Sequence, residues 1–284
     1  IGFQPGVYVL SRPLALPGGR AYVGLGSGET GAGVTFTQAN GTNLYCLAAS
    51  YEHLNAQNYA SAPAYVSNIN FDGNSANNTT GHGLIIQGYR SKVQDCSFYN
   101  LPQTAIIIAD RTQSGANVTN TIVENRIVRP KISGTGQYGI WVQNLAGFTN
   151  TDGRISKGEI SGTALDGIRL DRGAGWFLKD NHLYGCLGAG INAFNCWSTF
   201  IIGNEIDFFI QNAAATGFIG GISASLIGPR PTLIANNIIS STEPASGAHY
   251  QYLTVTGAGS TTTVAQITGN FIRGGYINTT TTQA

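Results

Sequence analysis

The chain repeats a short two-strand unit along most of its length. Each unit opens with an apolar-x-x-Asn-x-apolar stretch, such as LKDNHL at 178–183, and continues after a variable turn with a Gly-Ile-x-apolar stretch, such as GINAF at 190–194. The opening stretches lie at 93–98, 123–127, 155–160, 178–183, 201–206, 233–238 and 266–272. The Gly-Ile stretches or their equivalents lie at 105–109, 139–143, 167–171, 190–194, 221–225 and 252–255. Such self-similarity predicts a solenoid.

The alternation within each stretch predicts strands rather than helices. Side chains in a strand point alternately to opposite faces, so the apolar positions face inward and the others face solvent. A strand of four or five residues cannot bury its inner face alone, but stacking equivalent strands at about 4.8 Å per rung buries a continuous core. We therefore predict an all-β, right-handed, single-stranded parallel β-helix that forms one domain over 1–284, with opening coils at 1–80 and regular coils at 81–284.

One position of the unit is occupied mainly by asparagine, which predicts an inward Asn ladder. An inward Asn at a tight bend can hydrogen-bond to the Asn above and below it, which satisfies polar groups that are otherwise costly to bury. The residues assigned to this column are Asn125, Asn181, Asn204, Asn236 and Asn270, with Cys96 and Gly158 in the two remaining units.

Composition supports strands and turns and argues against two classes of partner. Charged residues make up 10% of the chain, against about a quarter in ordinary domains, and glycine accounts for 39 of 284 residues. The formal net charge of +1 gives no electrostatic basis for binding nucleic acid or an anionic membrane surface. No apolar run approaches the ~18 residues needed to cross a bilayer. We expect neither nucleic acid nor membrane as a partner.

The ionisable and thiol residues do not predict a metal site. The four cysteines match no zinc spacing and are too few for a disulfide scaffold, so we expect buried thiols, with a Cys186–Cys196 bridge as the alternative. A calcium site needs several convergent carboxylates. Asp166 and Asp171 are a minimal version of such a set, so we expect no cofactor, and calcium is an unsupported alternative.

The opening coils resemble a known superfamily. A Pro-Gly-x-Tyr strand is followed by an apolar strand and a Gly-x-Gly turn, in PGVYVL (5–10), LALPGG (14–19) and AYVGLGSG (21–28). The residues that carry the pattern are Pro5, Gly6, Tyr8, Leu14, Leu16, Gly24 and Gly26. This is similar to the N-terminal coils of the pectate-lyase-like superfamily, which includes polysaccharide lyases, many glycoside hydrolases and phage tailspike depolymerases.

The resemblance implies a setting and a partner. It implies an extracellular protein, secreted or on a virion surface, that acts on a polysaccharide or oligosaccharide. The likeness to tailspikes, many of which are trimers, implies a homotrimer. The chain starts at Ile1 rather than Met, and the helix that usually caps the first coil is not evident. We therefore expect a processed or trimmed product.

The resemblance also implies that substrate lies on the outer face of the Gly-Ile sheet. The outward positions predicted there are Ile107, Ala109, Trp141, Gln143, Arg169, Asp171, Asn192, Phe194, Ser223 and Ser225, and Tyr138 and Asp166 directly precede their strands. Aromatic rings stack on the apolar faces of sugars, and Asp and Arg bind hydroxyl or carboxylate groups. Most other outward positions are Thr, Ser, Asn or Gly, so a patch that differs from them predicts a groove: Trp141, Arg169, Asp171, Phe194, Tyr138 and Asp166.

Roles follow from the residue types. Asp171 and Asp166 are candidates for acid, base or nucleophile, and Arg169 for positioning substrate or stabilising charge. The candidates for substrate binding are Trp141, Tyr138, Gln143, Asn192 and Phe194. The alternative is that Arg169 and Asp171 form an ordinary surface ion pair, which contributes little, and that Trp141 only covers the strands or meets another subunit.

A second candidate site lies one residue past the Asn column. The residues assigned to it are Ser97, Arg126, Glu159, His182, Glu205 and Asn237. Glu159 and Glu205 would be two rungs, or about 9.6 Å, apart, which is at the wide end of the ~6.5–9.5 Å typical of inverting glycosidases. His182 would lie between them. The alternative is a column of alternating charges that only cancels repulsion between rungs.

The sequence therefore predicts an extracellular carbohydrate-active enzyme, a polysaccharide lyase or glycoside hydrolase, that cleaves its substrate in a groove on the Gly-Ile sheet. Two alternatives stay open. One is a non-catalytic β-helix that serves as a tail fibre, adhesin or matrix element. The other is a fructan-cleaving fructotransferase, which this chain resembles only in its coil pattern.

Overall fold

The repeat folds into coils of three strands each, and equivalent strands of successive coils pair in parallel. The computed structural model describes residues 1–26, 33–145, 147, 150–209, 219–228, 230–242, 251–257, 265–273 and 276–280. Within these ranges the strands form three ten-stranded sheets, named I, II and III in the order in which each coil enters them. The all-β parallel β-helix predicted from the sequence is confirmed.

The strands of each sheet are short, as the repeat predicts. Sheet I contains β1 (Gly2–Phe3), β4 (Arg20–Gly24), β7 (Ala64–Ser67), β10 (Lys92–Gln94), β14 (Arg126–Val128), β18 (Arg154–Ser156), β21 (Phe177–Lys179), β24 (Phe200–Ile202), β27 (Thr232–Ala235) and β30 (Ala265–Thr268). Sheet II contains β2 (Gly6–Leu10), β5 (Val34–Gln38), β8 (Ile69–Asp72), β11 (Ser97–Leu101), β15 (Lys131–Thr135), β19 (Glu159–Thr163), β22 (His182–Tyr184), β25 (Glu205–Phe209), β28 (Ile238–Thr242) and β31 (Phe271–Arg273).

Sheet III holds the Gly-Ile strands. It contains β3 (Leu14–Leu16), β6 (Cys46–Ser50), β9 (His82–Ile86), β12 (Ile106–Ile108), β16 (Ile140–Val142), β20 (Ile168–Asp171), β23 (Ile191–Cys196), β26 (Ile219–Leu226), β29 (Gln251–Gly257) and β32 (Tyr276–Thr280). A small pair, β13 (Ile122–Val123) and β17 (Asn150–Thr151), and one short helix, α1 (Tyr51–Leu54), complete the described elements. No helix in the described ranges is long and apolar enough to span a membrane.

The core is built from vertical columns of identical or similar side chains. In sheet III, Ile140, Ile168 and Ile191 pair in register and are fully buried. In sheet II, Phe71 and Phe98 stack with ring centroids 4.8 Å apart. Register fixes these contacts, because a slip by one residue would turn every inward side chain to the outside.

The Asn ladder occupies the bend between sheets I and II. Asn181 Nδ2 donates to Asn204 Oδ1 at 2.9 Å, Asn204 Nδ2 donates to Asn237 Oδ1 at 2.9 Å, and Asn237 Nδ2 donates to Asn270 Oδ1 at 2.8 Å. Each of these side chains also donates to a main-chain carbonyl of the preceding coil, for example Asn204 to Leu178 O at 3.0 Å. The ladder therefore satisfies main-chain and side-chain groups together.

Two of the predicted ladder residues were wrong. Asn236 is the bend residue, with a positive φ of 54°, and its neighbour Asn237 is the ladder member. Asn suits both positions because it tolerates the left-handed region better than most residues. Asn125 lies at a different bend, before sheet I, where its Oδ1 accepts from Ser91 N and its Nδ2 donates to Gly88 O. Pro130 occupies the corresponding place in the bend between sheets I and II.

The cysteines lie inside the coils as buried thiols. All four are free and buried, which agrees with the prediction of isolated thiols. Burial raises the pKa of Cys46, Cys96 and Cys196 to about 12 and that of Cys186 to about 11. These thiols therefore act as small apolar core residues.

Removing one ladder amide should cost more than its own hydrogen bonds. Asn204→Ala leaves the buried N and Nδ2 of Asn181 without their acceptor and Leu178 O without its donor. We expect a loss of about 3 kcal/mol in the free energy of unfolding, measured by urea denaturation. The control is Asn236→Gly, which keeps a residue suited to positive φ and should change stability by less than about 0.5 kcal/mol. Equal losses in both variants would contradict the ladder.

Candidate functional site

The outer face of sheet III is covered over its first coils. Ile107 and Ala109 face outward, as predicted, but both are buried in a second apolar cluster with Ile85. Leu54, on α1, packs against this cluster, and so does Trp141. Ile107 and Ala109 therefore line no groove, because the chain that follows β6 folds back over them.

The covering segment is attached to the sheet by a polar contact that the sequence did not reveal. Gln87 directly follows β9, and its Nε2 donates to the main-chain carbonyls of Gln57 at 2.6 Å and Tyr59 at 3.0 Å. Its Oε1 lies 3.2 Å from His53 Nδ1. Burial lowers the pKa of His53, which favours the neutral ring. The open part of the face therefore begins beyond this segment, at Trp141.

Asp171 is the centre of the polar cluster beyond this segment; it is buried, and it receives one donor from its own strand and one from the preceding rung. Trp141 Nε1 donates to Asp171 Oδ2 at 2.6 Å, and Arg169 Nε donates to Asp171 Oδ1 at 2.7 Å. Trp141 and Arg169 are paired across β16 and β20, which brings both donors to the same carboxyl. Each oxygen of Asp171 thus accepts one hydrogen bond from a protein group.

Arg169 joins Asp171 to a second acid. Its Nη1 lies 3.7 Å from Asp166 Oδ2, and its guanidinium carbon lies 4.9 Å from the centre of the Phe194 ring. Its side chain is only 20% exposed, so the charge–ring contact is partly shielded from water. Phe194 itself is 42% exposed and presents an apolar surface to the groove.

Asp166 has a different environment from Asp171. It directly precedes a Gly-Ile strand, and its Oδ1 accepts from Ala189 N at 2.8 Å while its Oδ2 accepts from Asn192 Nδ2 at 3.0 Å. Burial raises the pKa of Asp166 above its usual value, and the Ala189 N–H and the charge of Arg169 partly offset that rise. Asn192 therefore orients an acid rather than projecting freely into the groove.

Tyr138 and Gln143 lie at the margins of the cluster. The Tyr138 ring is 5.3 Å from that of Trp141, and burial raises its pKa, as do the charges of Asp166 and Asp171. Gln143 directly follows β16 and is half-buried, and its main chain bonds to Ile108 O and Asn150 Nδ2. The structure thus brings together Tyr138, Trp141, Asp166, Arg169, Asp171, Asn192 and Phe194.

The second predicted column exists on the outer face of sheet II, with two corrections. Glu159 pairs with His182, and His182 pairs with Glu205, as predicted. Lys131, not Arg126, occupies the rung before Glu159, and Ile238, not Asn237, follows Glu205. Both errors have the cause described for the Asn ladder. The repeat was aligned on the wrong residue of the bend in two segments, 123–127 and 233–238.

Contacts in this column favour charge compensation over a paired-acid site. Lys131 Nζ lies 3.8 Å from Glu159 Oε2, and Tyr184 OH donates to Glu159 Oε1 at 2.9 Å. His182 Nε2 lies 3.3 Å from Asp207 Oδ2, and Ser240 donates to Asp207 Oδ1. Glu159 therefore has partners of its own, and His182 contacts Asp207.

Asp207 adds a feature that the sequence analysis missed. One ligand atom each from His182, Glu205 and Asp207 lies within 4.8 Å of the other two. A ring nitrogen with two carboxylates could hold a divalent transition-metal ion after small side-chain movements. The available signal was the Glu-x-Asp spacing of 205 and 207, which places both carboxylates on the outer face of one strand.

The unequal surroundings of the two acids give a testable titration. We expect Asp166 to titrate above the usual range of an aspartic acid, and to titrate still higher in Arg169→Gln, because the guanidinium charge lowers its pKa. The midpoint is measured from the carboxyl carbon signal by NMR. Lys131→Gln removes a charge from sheet II instead and should leave the Asp166 midpoint unchanged. A midpoint that does not move in Arg169→Gln would show that the two groups are not coupled.

Comparison with known proteins supports the architecture. No protein-family model and no curated protein sequence matches the chain. The solved A-module of the Azotobacter vinelandii mannuronan C-5 epimerase AlgE6 is similar, with a TM-score of 0.58 and 12% identity over 99% of this chain and 86% of that one. The Streptococcus pneumoniae surface protein and adhesin PfbA is similar with a TM-score of 0.57 and 11% identity, over 98% and 90%. The chain therefore has the right-handed parallel β-helix fold of these structures.

Proposed function

We propose that the protein binds a polysaccharide along the open outer face of sheet III and cleaves it at the Asp166–Arg169–Asp171 cluster. The observation that carries this proposal is the contrast between two acids that share one guanidinium. Burial favours the protonated form of Asp166, whereas Asp171 receives two close donors from Trp141 and Arg169. Acid–base chemistry at a glycosidic bond uses two carboxyl groups in different surroundings.

The roles follow from these environments. Asp166 is the proton donor, because the neutral form carries the proton that a leaving oxygen needs. Asp171 is the carboxylate that acts as base, nucleophile or charge stabiliser. Arg169 holds the two acids in place and has five N–H donors, of which Nε is taken by Asp171. Its other N–H groups are the donors that can reach a sugar oxygen.

Binding depends on the exposed aromatic surface next to the acids. Phe194 lies beside Asp171 in the register of β20 and β23, and its exposed ring offers an apolar face or edge to a sugar. Outward small polar residues continue the face over the following rungs, because Asn192 pairs with Ser223 and Ser223 with Thr254. The result is a shallow, extended surface suited to a linear chain.

The similar structures support a carbohydrate ligand. By its name, AlgE6 acts on mannuronan, which is a polysaccharide. We propose an extracellular setting for this chain, because PfbA is described as a surface protein and adhesin. The proposed cleavage is either a lyase or a hydrolase reaction, and we propose that the protein assembles as a trimer.

A second candidate function is a non-catalytic binding protein. The observation that favours it is saturation: both oxygens of Asp166 and both oxygens of Asp171 already accept hydrogen bonds from protein groups. Under this alternative the same residues stabilise sheet III, and the surface serves only for adhesion.

The catalytic proposal predicts loss of turnover without loss of folding in Asp166→Asn and Asp171→Asn. Each variant should reduce the rate by at least about a hundredfold, while Asp180→Asn, at an exposed bend outside the cluster, should keep full activity. A panel of neutral and acidic polysaccharides, with inulin included, is assayed for new reducing ends and for the ultraviolet absorbance of an unsaturated uronide. Reducing ends alone indicate hydrolysis, and both signals indicate a lyase. Release of a cyclic difructose from inulin would indicate a fructotransferase.

The outcome also separates the two candidate functions. Size-exclusion chromatography with light scattering, run on the same samples, reports whether the protein is a trimer. Wild-type protein that binds a polysaccharide from the panel but produces neither signal would overturn the catalytic proposal in favour of adhesion. Full activity in both Asp variants would remove the cluster from the mechanism.

The binding surface is tested by a matched pair of phenylalanines. Phe194→Ala should weaken binding to the active polysaccharide about fivefold, because it removes an exposed apolar contact. Phe271, on sheet II, is 62% exposed, and Phe271→Ala should leave affinity unchanged. Isothermal titration calorimetry measures both. Equal weakening in the two variants would place the ligand elsewhere.

A further inference from the structure

The outer face of sheet I carries three cations directly above one another. Lys92 pairs with Arg126 across β10 and β14, and Arg126 pairs with Arg154 across β14 and β18. Successive rungs of a sheet lie about 4.8 Å apart. The side chains of Arg126 and Arg154 are exposed and that of Lys92 is half-buried. We call these three residues the cationic ladder.

The two exposed arginines of the cationic ladder lack the ion pairs that other charged groups on this surface form, whereas the charge of Lys92 acts on nearby Asp95, whose pKa is lowered by the hydrogen bond from Arg129 and by that charge. Within the described residues none of its three cations forms an ion pair, although acidic residues stand in the adjoining bends. Those acids bind other arginines: Glu124 pairs with Arg90 at 3.0 Å and Asp95 pairs with Arg129 at 2.6 Å. Like charges directly opposite one another destabilise a sheet, so this arrangement costs stability and is expected to serve a ligand.

Aromatic rings contact the cations at both ends of the ladder. Lys92 Nζ lies 5.5 Å from the centre of the Tyr65 ring, and the guanidinium carbon of Arg154 lies 5.6 Å from that of Phe177. Phe177 in turn stacks on Phe200, with centroids 4.4 Å apart and planes 6° from parallel. These contacts hold the terminal cations in place before a ligand arrives, which reduces the entropy lost on binding.

We propose that the cationic ladder binds an acidic polysaccharide whose chain runs along the axis of the β-helix. A linear chain bearing carboxylate or sulfate groups would place its negative charges against cations that recur once per rung. The face is a regular parallel sheet, which favours an extended polymer over a compact ligand. This site lies on a different sheet from the Asp166–Arg169–Asp171 cluster and does not depend on that cluster being catalytic.

The aromatic contacts favour a polysaccharide over single-stranded nucleic acid. Proteins that bind single strands offer open aromatic faces on which bases stack. Here Tyr65 faces Lys92, and Phe177 lies between Arg154 and Phe200. The formal net charge of the whole chain is only +1, far from the strongly basic balance typical of nucleic-acid binding. The ligand chemistry is therefore a charged sugar chain held by its acidic groups.

The test compares two double variants with the same net charge. Arg126→Gln/Arg154→Gln removes two cations from the ladder. Arg12→Gln/Arg273→Gln removes two exposed arginines that lie off it. Affinity electrophoresis in native gels that contain polygalacturonate, at low salt, measures binding, and neutral dextran serves as the reference polymer. We expect the ladder variant to bind polygalacturonate about fivefold to tenfold more weakly than wild type, and the off-ladder variant to stay within about twofold.

Two further measurements separate binding from folding. Arg126→Lys/Arg154→Lys keeps both charges and should retain most of the wild-type affinity. The Tm of the glutamine variant should be equal to or higher than that of wild type, because like-charge repulsion has been removed. Unchanged binding in the glutamine variant, or an equal loss in the off-ladder control, would overturn the proposal. Two other results would also overturn it. An oligonucleotide that competes with polygalacturonate at equal charge would identify nucleic acid as the ligand. Self-association of the wild-type protein that is lost in the glutamine variant would identify a second copy of the chain as the partner.

Discussion

Parallel pairing in register is the constraint on which the rest of this structure depends. Each coil hydrogen-bonds to the coils above and below it, so one side-chain position becomes a vertical column with a spacing of about 4.8 Å. An error of one residue in a coil would turn its core outward. The inward Ile columns, the Asn ladder and the surface clusters therefore have one common origin, and a residue's neighbours lie about one coil away in sequence.

The three outer faces deal with stacked charge in different ways. On sheet II, Lys131 stands next to Glu159, so opposite charges alternate between rungs. On sheet III, Arg169 lies between two acids and compensates both. On sheet I, Arg126 and Arg154 of the cationic ladder form no ion pair within the described residues. The exposed Lys131–Glu159 pair contributes little to stability, whereas the ion pairs of Arg169 are largely shielded from solvent.

Period and composition were sufficient to predict the architecture, but not to assign every bend. The apolar alternation identified the coils and the Gly-Ile sheet, because every coil repeats it. Asn236 was misplaced because Asn is favoured both in the left-handed bend and in the ladder, and the two positions are adjacent in sequence. Asn125 was misplaced because it makes similar amide contacts at a different bend, before sheet I. The misplacement of Arg126 followed from the same error. Asp180 and Gly203 directly precede ladder residues, and both have positive φ. By the same pattern, Asn236 is the residue with positive φ and Asn237 is the ladder residue.

The positions of site residues that follow from strand register could be predicted from the sequence. The burial that results when the segment after β6 covers sheet III could not. Trp141, Arg169 and Asn192 fall in one outward column because their strands pair, and period alone places them there. The burial of Ile107 depends instead on how the segment after β6 folds back, and that segment has no repeat of its own. Its attachment through Gln87 joins residues about 30 positions apart. The covering segment thus determines where the groove begins, and beyond it Phe194 is the exposed residue beside the buried acids Asp166 and Asp171.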